Sequence, residues 1–105
     1  FAPCAVIPVY NHEHAIAEVV ARVRAQGLPI VLVDDGCSEA CATVLQRLSE
    51  EEDVILAKHD INLGKGAAVC TGLRVAHERG FTHALQVDAD GQHTLTDIRR
   101  FVDES

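Results

Sequence analysis

Four runs of β-branched and aliphatic residues, each closing on a polar cluster, constrain this chain more than any other feature. "CAVIPV" (4–9) leads into "YNHE", and "IVLVDDG" (30–36) ends in two acids and a glycine. "DVILAKH" (53–59) leads into "DINLGKGAA", and "THALQVDAD" (82–90) ends in two carboxylates one residue apart. Near-continuous apolar runs of this length read as strands buried on both faces. Between them the period lengthens. From His14 to Gln26, the residues Ile16, Val19, Val20 and Val23 recur at helical spacing, with Gly27 placed as a C-cap and Pro29 just beyond it. Ser38 is placed to cap a second helix with Cys41, Val44, Leu45 and Leu48 on one stripe, and a third helix runs through Val69, Leu73 and Ala76 until Gly80. Thr96 is placed to cap a last helix carrying Ile98, Phe101 and Val102.

Strand and helix alternate four times. The alternation predicts an α/β fold: an open, mostly parallel sheet with helices on both faces, formed as a single domain over residues 1–105. No internal repeat, linker or low-complexity stretch interrupts it, and "SEEED" (49–53) reads as a solvated helix end. The apolar start at Phe1 and the helix-like "FVDES" at the other end suggest a piece of a longer protein.

Open sheets of this kind bind ligands beyond the carboxyl ends of their strands. Every polar cluster here falls at such an end: Tyr10–Glu13, Asp34–Gly36, His59–Gly66 and Asp88–His93. Asp88 and Asp90 pose the sharpest problem, because carboxylates aimed at one point repel unless something positive lies between them. Residues i and i+2 of a strand share a face, so the strand end aims both at the crevice. Hard oxygen donors suit Mg2+ or Mn2+, which bridge to substrate phosphates through one or two carboxylates, and Gln92 supplies a further oxygen. The duller reading is a surface turn. Asp34 and Asp35 either accept hydrogen bonds from a ribose or base or are turn acids beside Gly36; the local sequence leaves both open. "NLGKG" sets Lys65 and backbone N–H groups at a helix start, a natural phosphate site.

Several classes are excluded. Gly66 follows Gly64-Lys65 where a Walker loop has Ser or Thr, and "VYNHEH" after the first strand holds no glycine, which argues against a nicotinamide enzyme. His12 and His14 lack the spacing of a zinc helix, and Cys37 and Cys41 have no second pair to complete a metal site. The four cysteines read as reduced, part-buried thiols of a cytoplasmic protein. A net charge of −7 opposes nucleic acid and anionic membranes, and a phosphate ligand must bring a cation with it. No run approaches the roughly 18 apolar residues of a membrane span.

"VIPVYN", "VLVDDG", "NLGKGAAVCTGL" and "DADGQH", in this order and spacing, resemble the family 2 inverting nucleotide-sugar glycosyltransferases with their GT-A fold. The resemblance covers essentially the whole chain. It is strongest to the polyprenyl-phosphate sugar transferases, such as dolichol-phosphate mannose synthase, in which "DAD" is followed one residue later by Gln and His. It implies that Pro8, Tyr10 and Asn11 line the base and ribose pocket, with Glu13 a shifted counterpart of the Glu that usually follows "YN"; His12 stands in that place here. It implies that Asp34 and Asp35 include the residue that bonds the base, and that Lys65 lies near the diphosphate. Ala89 would let the nucleotide approach, and Asp88, Asp90 and Gln92 would hold the metal. Cys37 stands where Ser or Thr is usual.

The implied reaction transfers a sugar, with inversion, from a UDP- or GDP-linked donor to a polyprenyl phosphate or another glycan or lipid. The general base is expected beyond Ser105, so this chain alone is expected to bind nucleotide and metal without transferring sugar. Membrane association, at the cytoplasmic face, would come only through further segments. Two rivals stand beside this. "DADG" followed by "TL" is similar to the Asp-x-Asp-Gly-Thr signature of haloacid-dehalogenase-like phosphohydrolases, although there the motif ends the first strand and Thr follows Gly directly. A non-catalytic nucleotide-binding or regulatory module, a receiver-type phosphate-accepting domain among them, is the other.

Overall fold

The computed structural model describes residues 2–90 and the strand 97–100. Its elements in chain order are β1 (Pro3–Val9), α1 (Ile16–Ala25), β2 (Ile30–Asp35), α2 (Glu39–Leu48), β3 (Val54–His59), α3 (Lys65–Glu78), β4 (His83–Gln86) and β5 (Asp97–Arg100). The sheet order is β3-β2-β1-β4-β5. β1 to β4 are mutually parallel, and only β5 runs antiparallel, against β4.

Handedness explains where the helices lie. Moving from β1 to β2 to β3 steps one way along the sheet, so two right-handed crossovers set α1 and α2 on one face. The step from β3 to β4 goes back past β1, which throws α3 onto the other face. The core accordingly splits in two. Ala5, Ile7 and Val9 of β1 and Ile30 and Leu32 of β2 pack with Ile16, Val19, Val20 and Val23 of α1 and with Cys41 and Leu45 of α2. The alternate residues Cys4, Val6, Val31 and Val33 pack against Ala68 and Ala76 of α3. Burial also pushes the Cys4 thiol up to about 11.

α3 buries a stripe of small residues, Ala68, Gly72 and Ala76, while Val69 and Leu73 stay half-buried. The reason is proximity: a Cβ on Gly72 would collide with Val6 Cγ1 and come within 3.2 Å of Val33 Cγ2. α1 and α2 follow the expected stripes, but Ser38 caps α2 by position only, without a side-chain hydrogen bond.

Two expectations are corrected. The fourth strand does not run to Asp90: its ladder with β1 ends at Val6↔Gln86, and Ala89 and Asp90 form a turn. The last helix expected around Ile98 is instead β5, paired with β4 from His83↔Arg100 to Gln86↔Asp97. The apolar spacing of Ile98, Phe101 and Val102 suits a helix locally, but β4 offers an open edge of backbone donors and acceptors, and pairing overrides the local pattern. Thr96, Phe101 and Val102 lie outside the described residues.

Candidate functional site

The strand order reverses at β1, which has β2 on one side and β4 on the other. That switch point opens a crevice at the carboxyl ends of the strands. A cavity of about 440 Å³ occupies it. Pro8, Val9, Tyr10 and His12 line it from the end of β1, and Asp35 from β2. Asn62, Gly64 and Lys65 close it from the start of α3, and Asp88, Ala89 and Asp90 from the turn after β4.

Asp35 is 2% exposed and satisfied on every side. Its Oδ1 lies 2.8 Å from His59 Nδ1 and accepts the Leu63 N–H at 2.9 Å. Its Oδ2 accepts from the Gly64 N–H and from Asn62 Nδ2, both at 3.0 Å. Burial alone would raise this carboxyl, but the His59 bond and the two backbone N–H groups outweigh it and hold the pKa below the ordinary carboxylate value. Behind it, His59 Nε2 lies 2.8 Å from Thr71 Oγ1 of α3. Gly36 follows at φ +74°, and a Cβ there would collide with the backbone of Ile61 and Asn62, so the β2–α2 and β3–α3 loops touch chain to chain.

Asp34 is equally buried, and its Oδ1 accepts the Cys37 N–H at 2.8 Å, an Asx turn. Asn11 takes φ 57°, a left-handed conformation that Asn tolerates, and its Oδ1 accepts the Ser38 N–H at 2.7 Å. The Cys37 thiol points at the Val9 carbonyl, 3.3 Å away, and burial raises its pKa far above the usual range.

Asp88 and Asp90 meet the cavity differently. Lys65 Nζ lies 2.9 Å from Asp88 Oδ1, with the lysine side chain 62% exposed and the aspartate 22%. Asp90 is exposed on the same wall. A positive charge therefore already stands at the acid pair, on a long and mobile stem. The donor set fits Mg2+ or Mn2+: Asp88 and Asp90 bring hard oxygens, and a cation shared with phosphates needs no more than two carboxylates from the protein. No group of three or more His, Cys, Asp or Glu able to hold a metal occurs among the described residues. Gln92, the further ligand expected from sequence, lies outside the described residues.

Of the site residues expected from sequence, Pro8, Tyr10, Asp35, Lys65, Asp88, Ala89 and Asp90 come together on one cavity. Asn11 and Asp34 are not among its lining residues; their side chains accept the Ser38 and Cys37 N–H groups. Glu13 is half-buried and not among the lining residues, whereas its neighbour His12 is. Asn62 and Gly64 were legible as part of "NLGKG"; His59 and Thr71 carried no signal in the sequence. Two of the N–H groups expected to await phosphate, those of Leu63 and Gly64, are already taken by Asp35. The acid pair follows β4, not the first strand, unlike the phosphohydrolase arrangement.

Comparison with known proteins agrees with this geometry. The Glycosyl transferase family 2 profile matches residues 4–105. The UDP-N-acetylglucosamine–dolichyl-phosphate N-acetylglucosaminyltransferase of Methanococcus voltae is 35% identical over 111 residues, covering 92% of this chain and 44% of that protein. The undecaprenyl-phosphate 4-deoxy-4-formamido-L-arabinose transferase of Pseudomonas fluorescens is 36% identical over 105 residues, covering 92% of this chain and 30% of its own length. The chain thus spans less than half the length of these relatives. Among solved structures, the mannosyltransferase PcManGT from Pyrobaculum calidifontis, in complex with GDP-Man and Mn2+, superposes with TM-score 0.72 at 24% identity, over 84% of this chain and 27% of that one. S. aureus TarS 1–349 in complex with UDP gives TM-score 0.73 at 20% identity, over 86% and 28%. The two structural likenesses show a shared GT-A-like fold. The profile match along nearly all of its length establishes that this chain belongs to Glycosyl transferase family 2.

Proposed function

We propose that the chain forms the donor-binding half of an inverting, divalent-metal-dependent transferase that moves a sugar from a UDP- or GDP-linked donor to a polyprenyl phosphate. The observation that carries the reading is the convergence of Asp88, Asp90 and Lys65 on one cavity at the strand-order reversal. The acceptor class is supported by the printed activities of the Methanococcus and Pseudomonas relatives, and the donor and cation by the ligands named for the two solved structures.

Asp88 and Asp90 would hold Mg2+ or Mn2+, which supplies Lewis-acid stabilisation of the diphosphate as charge grows on it. Lys65, whose exposed ammonium lies 2.9 Å from Asp88 Oδ1, would offer that charge to a diphosphate oxygen. α3 has no side-chain cap, so its first-turn N–H groups at Lys65, Gly66 and Ala67 add a positive end facing the same anion. Tyr10, 48% exposed on the cavity rim, offers a ring face on which a base stacks. The buried methyl of Ala89 leaves room where a larger residue would fill the crevice.

Calorimetric titration of the 105-residue chain with UDP and with GDP, with Mn2+ or Mg2+ present and absent, tests the reading. Metal-dependent binding of one nucleotide, abolished in Asp90→Ala, is the expected result. Binding untouched by that substitution would refute the assignment.

A further inference from the structure

The loop that brings Asn62, Gly64 and Lys65 to the cavity has little apolar anchorage. Ile61 is 66% exposed, Leu63 54%, and Asn62 is exposed as well. Its course is set instead by one carboxylate. Asp35 collects the Leu63 and Gly64 N–H groups and the Asn62 amide, while Gly36 abuts the same backbone. Asp35 is held in turn. His59, the last residue of β3, and Thr71, in the second turn of α3, stand at the two ends of the connection the loop makes. The His59 ring joins them, 2.8 Å from Asp35 on one side and 2.8 Å from Thr71 on the other. The two acidic and basic side chains are only 3% and 10% exposed. A carboxylate only accepts, so Nδ1 carries a proton toward Asp35, while Nε2 and the Thr71 hydroxyl form the second bond.

We infer that His59, backed by Thr71, is a positioning residue for the nucleotide cavity: it fixes Asp35 in the orientation that gathers the 62–64 loop and so sets where Lys65 and Gly64 present themselves to a ligand. His59 itself is not among the residues lining the cavity and acts through Asp35. The inference rests on reading the cavity as a nucleotide site.

Two substitutions separate the two ring nitrogens. The amide nitrogen of Asn falls near Nδ1 and keeps the donor to Asp35; that of Gln falls near Nε2 and reaches Thr71 instead. Binding of UDP and GDP with Mg2+ and hydrogen exchange at the Leu63 and Gly64 amides are measured well below the melting transition for wild type, His59→Asn, His59→Gln and Val44→Ala. Val44 packs against the opposite core face and controls for general destabilisation. His59→Gln is expected to lose about tenfold in affinity, and protection at both amides; His59→Asn, which keeps the donor to Asp35 but not the Thr71 contact, loses only about threefold, and Val44→Ala retains both. If His59→Gln does not fold, Thr71→Val replaces it, with an expected loss of about threefold that Thr71→Ser restores. Wild-type affinity and protection in His59→Gln, or equal losses in Val44→Ala, overturn the inference. Should wild type bind neither nucleotide, the donor reading fails, and amide protection alone decides whether His59 positions the loop.

Discussion

Two pairs of neighbouring acids stand at the same end of this sheet, and the fold treats them in opposite ways. Asp34 and Asp35 are 2% exposed, and backbone N–H groups and side-chain donors occupy their oxygens. Asp88 and Asp90 stand in an open cavity, with a flexible ammonium on one of them. The first pair holds loops together through buried hydrogen bonds; the second lines the cavity, with the Lys65 ammonium 2.9 Å from Asp88. The contrast lies in burial, which obliges the first pair to find its partners within the chain.

The largest effect that would break the comparison lies in the first pair. Asp35→Ala strands the His59 ring and two loop N–H groups in a buried place, and about 3 kcal/mol or more of stability should go, read as a shift of the urea midpoint. If stability barely changed, Asp35 would not be the brace described. Asp90→Ala should show the reverse: stability within about 0.5 kcal/mol of wild type, but metal-dependent nucleotide affinity at least about tenfold weaker, equivalent to about 1.4 kcal/mol. Equal stability losses in both variants would erase the distinction. Lys65→Ala is expected to lower nucleotide affinity by about threefold with little change in melting temperature, since an exposed ion pair contributes at most about 1 kcal/mol.

The subtlest test is pH. The folded pKa of Asp35 lies below its unfolded value, so its stabilisation is complete above the ordinary carboxylate range and drains away as acid titrates the folded group. Stability measured from neutral pH downward should therefore fall less steeply in Asp35→Asn than in wild type. Parallel slopes would show that this carboxylate is not the one being titrated.

Much of this was legible in the sequence because it depended on period and order. Val31 and Val33 against Ile30 and Leu32, or Val19 and Val23 on α1, declare their faces locally, and alternation with right-handed crossovers does the rest. The gathering of Pro8, Tyr10, Asp35, Lys65 and the second acid pair followed from the same topology. What escaped was set by contacts distant in sequence. β5 owes its strand to the edge of β4 and not to its own residues. His59 gains its meaning from Asp35, 24 residues earlier, and Thr71, 12 residues later. The bond from the Ser38 N–H to the Asn11 side chain likewise joins residues 27 apart and leaves no local signal.

The direct abutment of Gly36 on Ile61 and Asn62 carries a further consequence. With no side chain interposed, neither segment has slack: an insertion or deletion in one would be transmitted straight into the other and carry the lysine off its partner. Length variation in the walls of this cavity must therefore enter elsewhere, and the stretch after Val9, solvated at Tyr10, Asn11 and His12 and held through Asn11 and His12, is where the architecture leaves freedom to vary.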